Sequence, residues 1–244
     1  MKAMIFAAGI GSRLQPLTLE KPKALIEINK TPVLEIAIKN LIKFGFDEII
    51  INVHHFPEQI INFLKEKNNF GIRIEISNEK NMLLNTGGGL KKASWFFNDC
   101  QNFLLYNVDI LSEINLKDFY DYHIKNNSLA SLAVQNRNTS RYLLFDDEMY
   151  LRGWENKKTN EKILISEKRE NLKPFAFNGI HMINTGIFNL ISEQGSFSII
   201  DLYLRLASKN KIRAYDIGDT FWMDIGKIND LKKAKKIFNT TKTK

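Results

Sequence analysis

A single cysteine, Cys100, stands in the 244-residue chain, which excludes an internal disulfide and a cysteine-rich metal site. Long hydrophobic runs are also missing: none approaches the roughly 18 residues a membrane-crossing helix needs. The N-terminus has no signal-peptide layout, because its brief apolar segment runs straight into a glycine loop. Proline-rich linkers, internal repeats and low-complexity tracts are absent, so nothing marks a second independent domain. These absences lead us to expect a cytoplasmic protein with no membrane association.

What is present begins with charge. The formal net charge is +8, and clustered cations attract nucleic acid. Here the lysines are spread along the whole chain. The densest group, Lys232, Lys233, Lys235 and Lys236, falls on the exposed face of a C-terminal helical pattern, and such a run is most often a solvated face. No nucleic-acid partner is expected. With 44% hydrophobic and 25% charged residues, the mix is that of an ordinary globule long enough to bury a large core.

The first half alternates strand and helix patterns. Residues 2–7 read as a buried strand feeding Gly9. Thr31-Pro32 reads as an N-cap and first helical residue, with Leu34, Ile38, Leu41 and Ile42 inward and Gly45 closing the helix in the left-handed region. Residues 49–53 form a second strand. A helix over 57–67 follows, with Ile60, Ile61, Phe63 and Leu64 inward, then a strand at 72–76. Another helix is expected after Gly88-Gly89, and a strand over 103–106 ends near Asp109. This rhythm implies right-handed crossovers and a mostly parallel sheet, whose ligand crevice lies beyond the carboxyl ends of the strands. The Gly9 loop and Asp109 both fall there.

The second half is less regular. Residues 141–145 and 149–154 flank Asp146-Asp147 as a hairpin, and 155–172 read as a polar loop or insertion. A long strand covers 175–183. Ser198 caps a helix over 199–207, with Asp201 favouring its dipole. Strands at 212–215 and 220–223 precede a closing helix over 229–238.

Ala7-Ala8-Gly9-Ile10-Gly11-Ser12-Arg13 carries the first chemical signal. Glycines let backbone approach phosphate oxygens, successive N–H groups form an anion nest, and Arg13 adds a guanidinium fork. Leu14 stands where a dinucleotide fingerprint needs its third glycine, and no Walker A lysine pattern occurs. The extension through Leu14-Gln15-Pro16-Leu17-Thr18 and Lys21-Pro22-Lys23-Ala24-Leu25 is more specific. Together these residues resemble the signature of nucleotidyltransferases acting on sugar 1-phosphates. The resemblance continues in order through Asn85-Thr86-Gly87-Gly88-Gly89, Asn107-Val108-Asp109, Phe177-Asn178-Gly179-Ile180 and Trp222-Met223-Asp224-Ile225-Gly226. The glycine-rich segment is most similar to N-acetylmuramate-1-phosphate uridylyltransferases and their neighbours.

The resemblance implies a Rossmann-like, mostly parallel sheet sandwiched by helices, with a small sugar-side β lobe. It implies one domain over residues 1–244, with a nucleotide-binding half (1–110) and a sugar-binding half (111–244). The substrates implied are a nucleoside triphosphate, UTP favoured, and a sugar 1-phosphate; pyrophosphate leaves and an NDP-sugar forms for cell-envelope glycan synthesis or recycling. Asp109 and Asp224 would bind Mg²⁺. Arg13 and Lys23 would act catalytically on the phosphates. Ala8, Gly9, Gly11, Ser12, Gly87, Gly88 and Asn107 would contact the nucleotide, and Asn178 and Gly179 the sugar. Bifunctional relatives continue into an acyltransferase domain, so this chain is expected to perform the transfer alone, as a monomer or small homo-oligomer.

Three positions depart from the family pattern. Val108 replaces the usual glycine before the metal-binding aspartate, Leu83 or Leu84 stands where many uridylyltransferases read the base through glutamine, and Asn85 replaces an acidic residue. Guanylyl transfer to mannose or heptose 1-phosphate, cytidylyl transfer to a phospho-alcohol, and a non-catalytic nucleotide-sugar-binding regulator stay open. Elsewhere the plainer readings prevail. His54-His55 lacks a third metal ligand at recognisable spacing, Cys100 is a bystander, and Trp95-Phe96-Phe97 packs a helix. Phe197 and Asp201 either rim a sugar pocket or merely start a helix.

Overall fold

Alternating apolar strands and amphipathic helices dominate the computed structural model, which describes residues 1–165 and 171–240. Along the first third run β1 (Lys2–Phe6), β2 (Glu27–Ile28), β3 (Thr31–Pro32), α1 (Val33–Lys43), β4 (Glu48–Val53), α2 (Pro57–Glu66) and β5 (Arg73–Asn78). Next come α3 (Asn85–Lys92), β6 (Asn102–Asn107), β7 (Ile110–Ser112), α4 (Leu116–Lys125) and β8 (Ala130–Gln135). The remainder comprises β9 (Arg141–Phe145), β10 (Leu151–Asn156), β11 (Glu161–Leu164), β12 (Lys173–Asn184), α5 (Ile199–Leu206), β13 (Ile212–Asp216), β14 (Trp222–Asp224) and α6 (Ile228–Thr240). The expected mixed α/β class holds.

The chain forms two compact units built from non-contiguous segments. The first takes Met1–Leu83, Tyr106–Glu113 and the segment from Phe221 onward; the second takes Leu84–Leu105 and Ile114–Thr220.

In the first unit, β4 lies between β1 and β5 in parallel register, with Met4 opposite Ile50 and Ile50 opposite Glu75. Every residue of β1 is buried, as strands covered on both faces require. Helix α1 buries Val33, Leu34, Ala37, Ile38 and Leu41, the i, i+4 stripe of an amphipathic helix. Gly45 ends it at φ 80. The start differs from expectation. Thr31-Pro32 pairs with β2, Pro32 becomes the cap residue without a side-chain hydrogen bond, and Val33 N–H donates to Ile26 O instead. A backbone acceptor supplied by tertiary structure has replaced the threonine cap. In α2, Ile60 and Leu64 are buried while Ile61 and Phe63 are only half-buried.

In the second unit, β12 pairs antiparallel with β8 and β9, β9 with β10, and β10 with β11, while β13 runs parallel to β8. The hairpin around Asp146-Asp147 is present, with Asp146 Oδ1 accepting from Tyr150 N–H. Residues 155–165 are not a loop: β10 continues to Asn156 and β11 folds back on it, while 166–170 lie outside the described residues. Helix α4 and β8 add to the expected elements; Asn115 caps Lys117 and Asp118 and is followed three residues later by an acid. Phe96 and Phe97 are buried in a 3₁₀ turn, with Trp95 left largely exposed.

Two buried histidines brace this unit. His123 Nδ1 lies 2.9 Å from Ser131 Oγ and its Nε2 3.1 Å from Asn102 Oδ1. His181 Nδ1 lies 2.8 Å from Tyr203 Oη. Burial disfavours their charged forms, lowering His123 to about 4 and His181 to about 3 from 6.5. Both rings stay neutral in the fold while the unfolded chain protonates below pH 6.5. Stability is therefore fully present above that pH and is lost as pH falls, by about 1.4 kcal/mol per ring per pH unit. Urea midpoints measured from pH 7 down to pH 5 should decline, and less steeply in His123→Gln; a flat profile would show that these rings are solvated.

Candidate functional site

Four charged residues meet in the first unit, at the carboxyl ends of its strands. Asp109 follows β6 and precedes β7. Because β7 and β14 pair with Ile110 opposite Asp224, and Ile225 N–H donates to Asp109 O at 3.0 Å, the two aspartates lie side by side. Lys23, from the 3₁₀ turn Lys23–Leu25, forms an ion pair between its Nζ and Asp109 Oδ2, each side chain 13% exposed. Gly226 marks the centre. A methyl group on its Cα would sit 2.8 Å from Asp224 Oδ1, 2.9 Å from Arg13 Nη2 and 3.2 Å from Asp109 Oδ2. Gly226 N–H donates to Asp224 Oδ1 at 2.6 Å. The glycine therefore supplies space for charged groups. A role defined by empty space leaves no mark in the sequence, so the motif Trp222-Met223-Asp224-Ile225-Gly226 does not by itself reveal it.

Burial, and then the neighbouring Asp109 carboxylate, raise the Asp224 carboxyl above the ordinary range. Two carboxylates forced together in this way suit a hard divalent cation, which takes oxygen ligands and relieves their repulsion. Among the described residues no cluster of three His, Cys, Asp or Glu forms a potential metal site.

The loop before this cluster is built to meet an anion. Gly11 adopts φ 71, and the N–H groups of Gly9, Ile10 and Gly11 have no acceptor among the described residues. A Cβ on Gly9 would meet nothing within 4 Å. Ser12 and Arg13 are exposed, Ala8 is buried, and Asn107 is half-buried at the end of β6. The Arg13 guanidinium has no ion-pair partner among the described residues. Such an arrangement of unsatisfied donors and cations can hold phosphate oxygens. Val108 fits its turn: its side chain is buried and its N–H donates to Phe6 O.

Gly87 and Gly88 belong to the second unit and have a different setting. They lie inside α3, which starts at Asn85 and not after Gly88-Gly89. A Cβ at 87 would fall 2.3 Å from the Phe197 ring, and one at 88 would fall 2.2 Å from Gly195 O. Their N–H groups both donate to Phe197 O, at 2.9 and 3.4 Å. Thr86 Oγ1 accepts from Ile199 N–H at 3.0 Å, so this segment docks α3 against the start of α5. Asn85 sits at φ 57, a conformation asparagine tolerates better than most residues. Phe197 is the partner of these glycines, and Asp201 is an exposed first-turn residue of α5. Asn178 is fully buried on β12, its Oδ1 accepting from Arg137 Nε at 3.3 Å. Gly179, at φ 73, lies where β12 loses register against β8. His54 and His55 form no metal cluster; each ring nitrogen meets a backbone carbonyl, Glu79 O and Thr18 O respectively. Cys100 bonds Phe97 O. No described helix is long and apolar enough to cross a membrane.

Residues 2–241 match the protein family described as Nucleotidyl transferase. A UTP–glucose-1-phosphate uridylyltransferase from Synechocystis sp. is 29% identical over 94% of this chain and 61% of its own length. A mannose-1-phosphate guanyltransferase from Gibberella zeae is 27% identical over 100% of this chain and 66% of its own. The chain thus spans less than two thirds of either relative. HddC from Yersinia pseudotuberculosis, known from its crystal structure, shares the fold at 21% identity, with a TM-score of 0.78 over 97% of this chain and 99% of that one.

The crowding of the aspartates has a measurable consequence. A raised carboxyl pKa favours the protonated form in the fold, so its stability contribution is present at low pH and lost once Asp224 ionises. Asp224→Asn, which keeps the acceptor for Gly226 N–H, should melt higher than the parent at pH 7 in chelator. The gap should close as pH falls below 3.8, the ordinary value. A variant melting lower at pH 7 would show that the Asp224 charge is stabilising.

Proposed function

The chain belongs to the nucleotidyl transferase family, and from that premise we propose that it transfers a nucleoside monophosphate from a triphosphate, UTP favoured, to a sugar 1-phosphate. The observation that carries the reading is the meeting of Arg13, Asp109 and Asp224 around Gly226, with Lys23 paired to Asp109, beside a loop of uncommitted N–H groups. A phosphate oxygen of the sugar phosphate attacks the α-phosphorus in line. A new P–O bond forms there, the bond to the β-phosphate oxygen breaks, and pyrophosphate carries away the electron pair. The nucleophile is already an anion, so no side chain needs to remove a proton. Positioning and charge neutralisation are what the chain must supply.

The N–H groups of Gly9, Ile10 and Gly11, with Ala8 and Ser12 around them, cradle the triphosphate. Arg13 neutralises the leaving pyrophosphate, and Lys23 contacts the phosphates as a point charge. Asp109 and Asp224 would hold Mg²⁺, which when bound supplies charge neutralisation to the phosphate oxygens. Asn107 serves the nucleotide at the end of β6, and Gly87 and Gly88 serve it by setting the start of α3. Asn178 and Gly179 contact the sugar; the strand irregularity at Gly179 supports this, since bulges re-aim chain at functional sites. Residues 1–244 are proposed to act as one nucleotidyltransferase domain in the cytoplasm.

Guanylyl transfer is a second reading with its own support: the mannose-1-phosphate guanyltransferase relative aligns over the whole chain at an identity close to that of the uridylyltransferase.

Pyrophosphate release with Mg²⁺, measured across five nucleoside triphosphates and a panel of sugar 1-phosphates, tests both readings. One base should dominate, UTP or GTP. Asp109→Asn and Lys23→Met should each lower kcat on the order of a hundredfold or more. Silence of the folded parent across the panel would remove the transferase reading.

Gly226→Ala tests the space at the centre of the site. It should lose turnover on a similar scale while its melting temperature stays near that of the parent, because the collision involves only the ends of polar side chains. Full activity in this variant would show that the space at Gly226 is not used.

A further inference from the structure

The loop between Ala8 and Leu19 is held from within by short-range turns, Leu14 N–H donating to Gly11 O at 2.8 Å and Leu17 N–H to Leu14 O at 2.9 Å, and by the buried Leu14 side chain. Its only regular element is the 3₁₀ turn Ser12–Leu14, and Ile10, Leu17 and Leu19 are 44%, 44% and 59% exposed. Apolar side chains left in water contribute little to fixing a backbone. Its entry is pinned by a buried amide. Ala7 N–H donates to Asn52 Oδ1 at 2.7 Å, and Asn52 Nδ2 donates to Glu79 Oε1 at 2.8 Å.

The exit is pinned differently. Thr18, 2% exposed, donates its hydroxyl to Gly11 O at 2.9 Å. Its methyl lies so near Gly11 that a Cβ there would approach to 2.9 Å, with Lys23 Cβ on the other side at 3.1 Å. Gly11 is thus wedged between Thr18 and Lys23. Thr18 in turn is held from the β4–α2 connection, its carbonyl accepting from His55 Nε2 at 3.1 Å. Gln59 Nε2 adds a second tie to Glu20 O at 2.8 Å.

The connection that delivers His55 is itself tightly specified. His54 Nδ1 donates to Glu79 O at 2.8 Å, and Phe56 adopts φ 50, a left-handed conformation costly for an aromatic residue and found where surroundings over-determine the backbone.

We propose that His55 is a positioning residue for the phosphate-binding loop: by holding Thr18 it sets the aim of the Gly11 N–H group and of the Lys23 stem. The inference rests on the transferase reading and assigns a task to a histidine pair that reading does not use. The task requires an N–H donor at the Nε2 position, since a carbonyl can only accept. Glutamine, whose Nε2 reaches a comparable distance, can supply that donor; alanine cannot. Because catalysis here depends on placement, a displacement of the order of an ångström suffices to cost substantial rate.

The experiment compares the parent chain, His55→Ala and His55→Gln by steady-state kinetics on the substrate pair the panel identifies. Melting temperatures and titration calorimetry with the same triphosphate accompany it. In His55→Ala, kcat/KM for the triphosphate should fall at least tenfold while KM for the sugar 1-phosphate stays within twofold, and His55→Gln should recover most of the loss. Three results would overturn the proposal: His55→Ala kinetics matching the parent, a rise of more than twofold in KM for the sugar 1-phosphate, or a well-folded His55→Gln that recovers nothing. If the parent turns over no pair, the transferase reading fails separately and calorimetry decides. A tenfold weaker triphosphate affinity in His55→Ala upholds the positioning role; equal affinity, or no binding by the parent, overturns it.

Discussion

The constraint on which the site depends is electrostatic: Asp109 and Asp224 are brought side by side in a partly buried place where neither can be fully solvated. Burial, and then the like charge of Asp109, disfavour the ionised form of Asp224 and raise its carboxyl. Lys23 offsets part of the repulsion through its contact with Asp109. The rest of the geometry follows from keeping these groups apart but close. Gly226 has no side chain to intrude, and the β7–β14 pairing fixes the distance between the two carboxylate-bearing segments. On the proposed reading, the same repulsion is what gives a hard cation and a triphosphate a reason to bind.

Around this centre the glycines divide by physical task. Gly11 needs both its left-handed backbone and its lack of a side chain, because Thr18 and Lys23 press on it from two sides. Gly87 and Gly88 are needed for close packing, since the residue 195–197 backbone and the Phe197 ring fill the space a methyl would take. A glycine-rich motif in the sequence thus corresponds to two unrelated demands. In the first unit the freed backbone N–H groups remain available, whereas in the second they already donate to Phe197 O.

Some elements were legible because their causes are local. The buried run of β1, the apolar stripe of α1, the Gly45 terminator and the Ser198 cap each depend on residues within a few positions of one another. The departures share the opposite property. Thr31 has no capping role because Ile26 O, just before β2, accepts from Val33 N–H. Residues 155–165 read as a loop because the pairing that makes β11 a strand lies in β10. Helix α4 carries a local signal of its own, the Asn115 cap that accepts from Lys117 and Asp118 N–H.

By itself the sequence determined the α/β class, the order of the motifs and the family to which residues 2–241 belong. Strand periodicity and long glycine-centred signatures are properties of contiguous residues and survive without coordinates. Tertiary structure alone decided that Arg13, Asp109 and Asp224 surround one glycine with Lys23 paired to Asp109, that Gly87 and Gly88 make room for Phe197, and that His55 reaches Thr18. Those relations join residues tens to hundreds of positions apart. They arise only when sheet register and the chain's return through β14 bring distant backbone within hydrogen-bonding and van der Waals range.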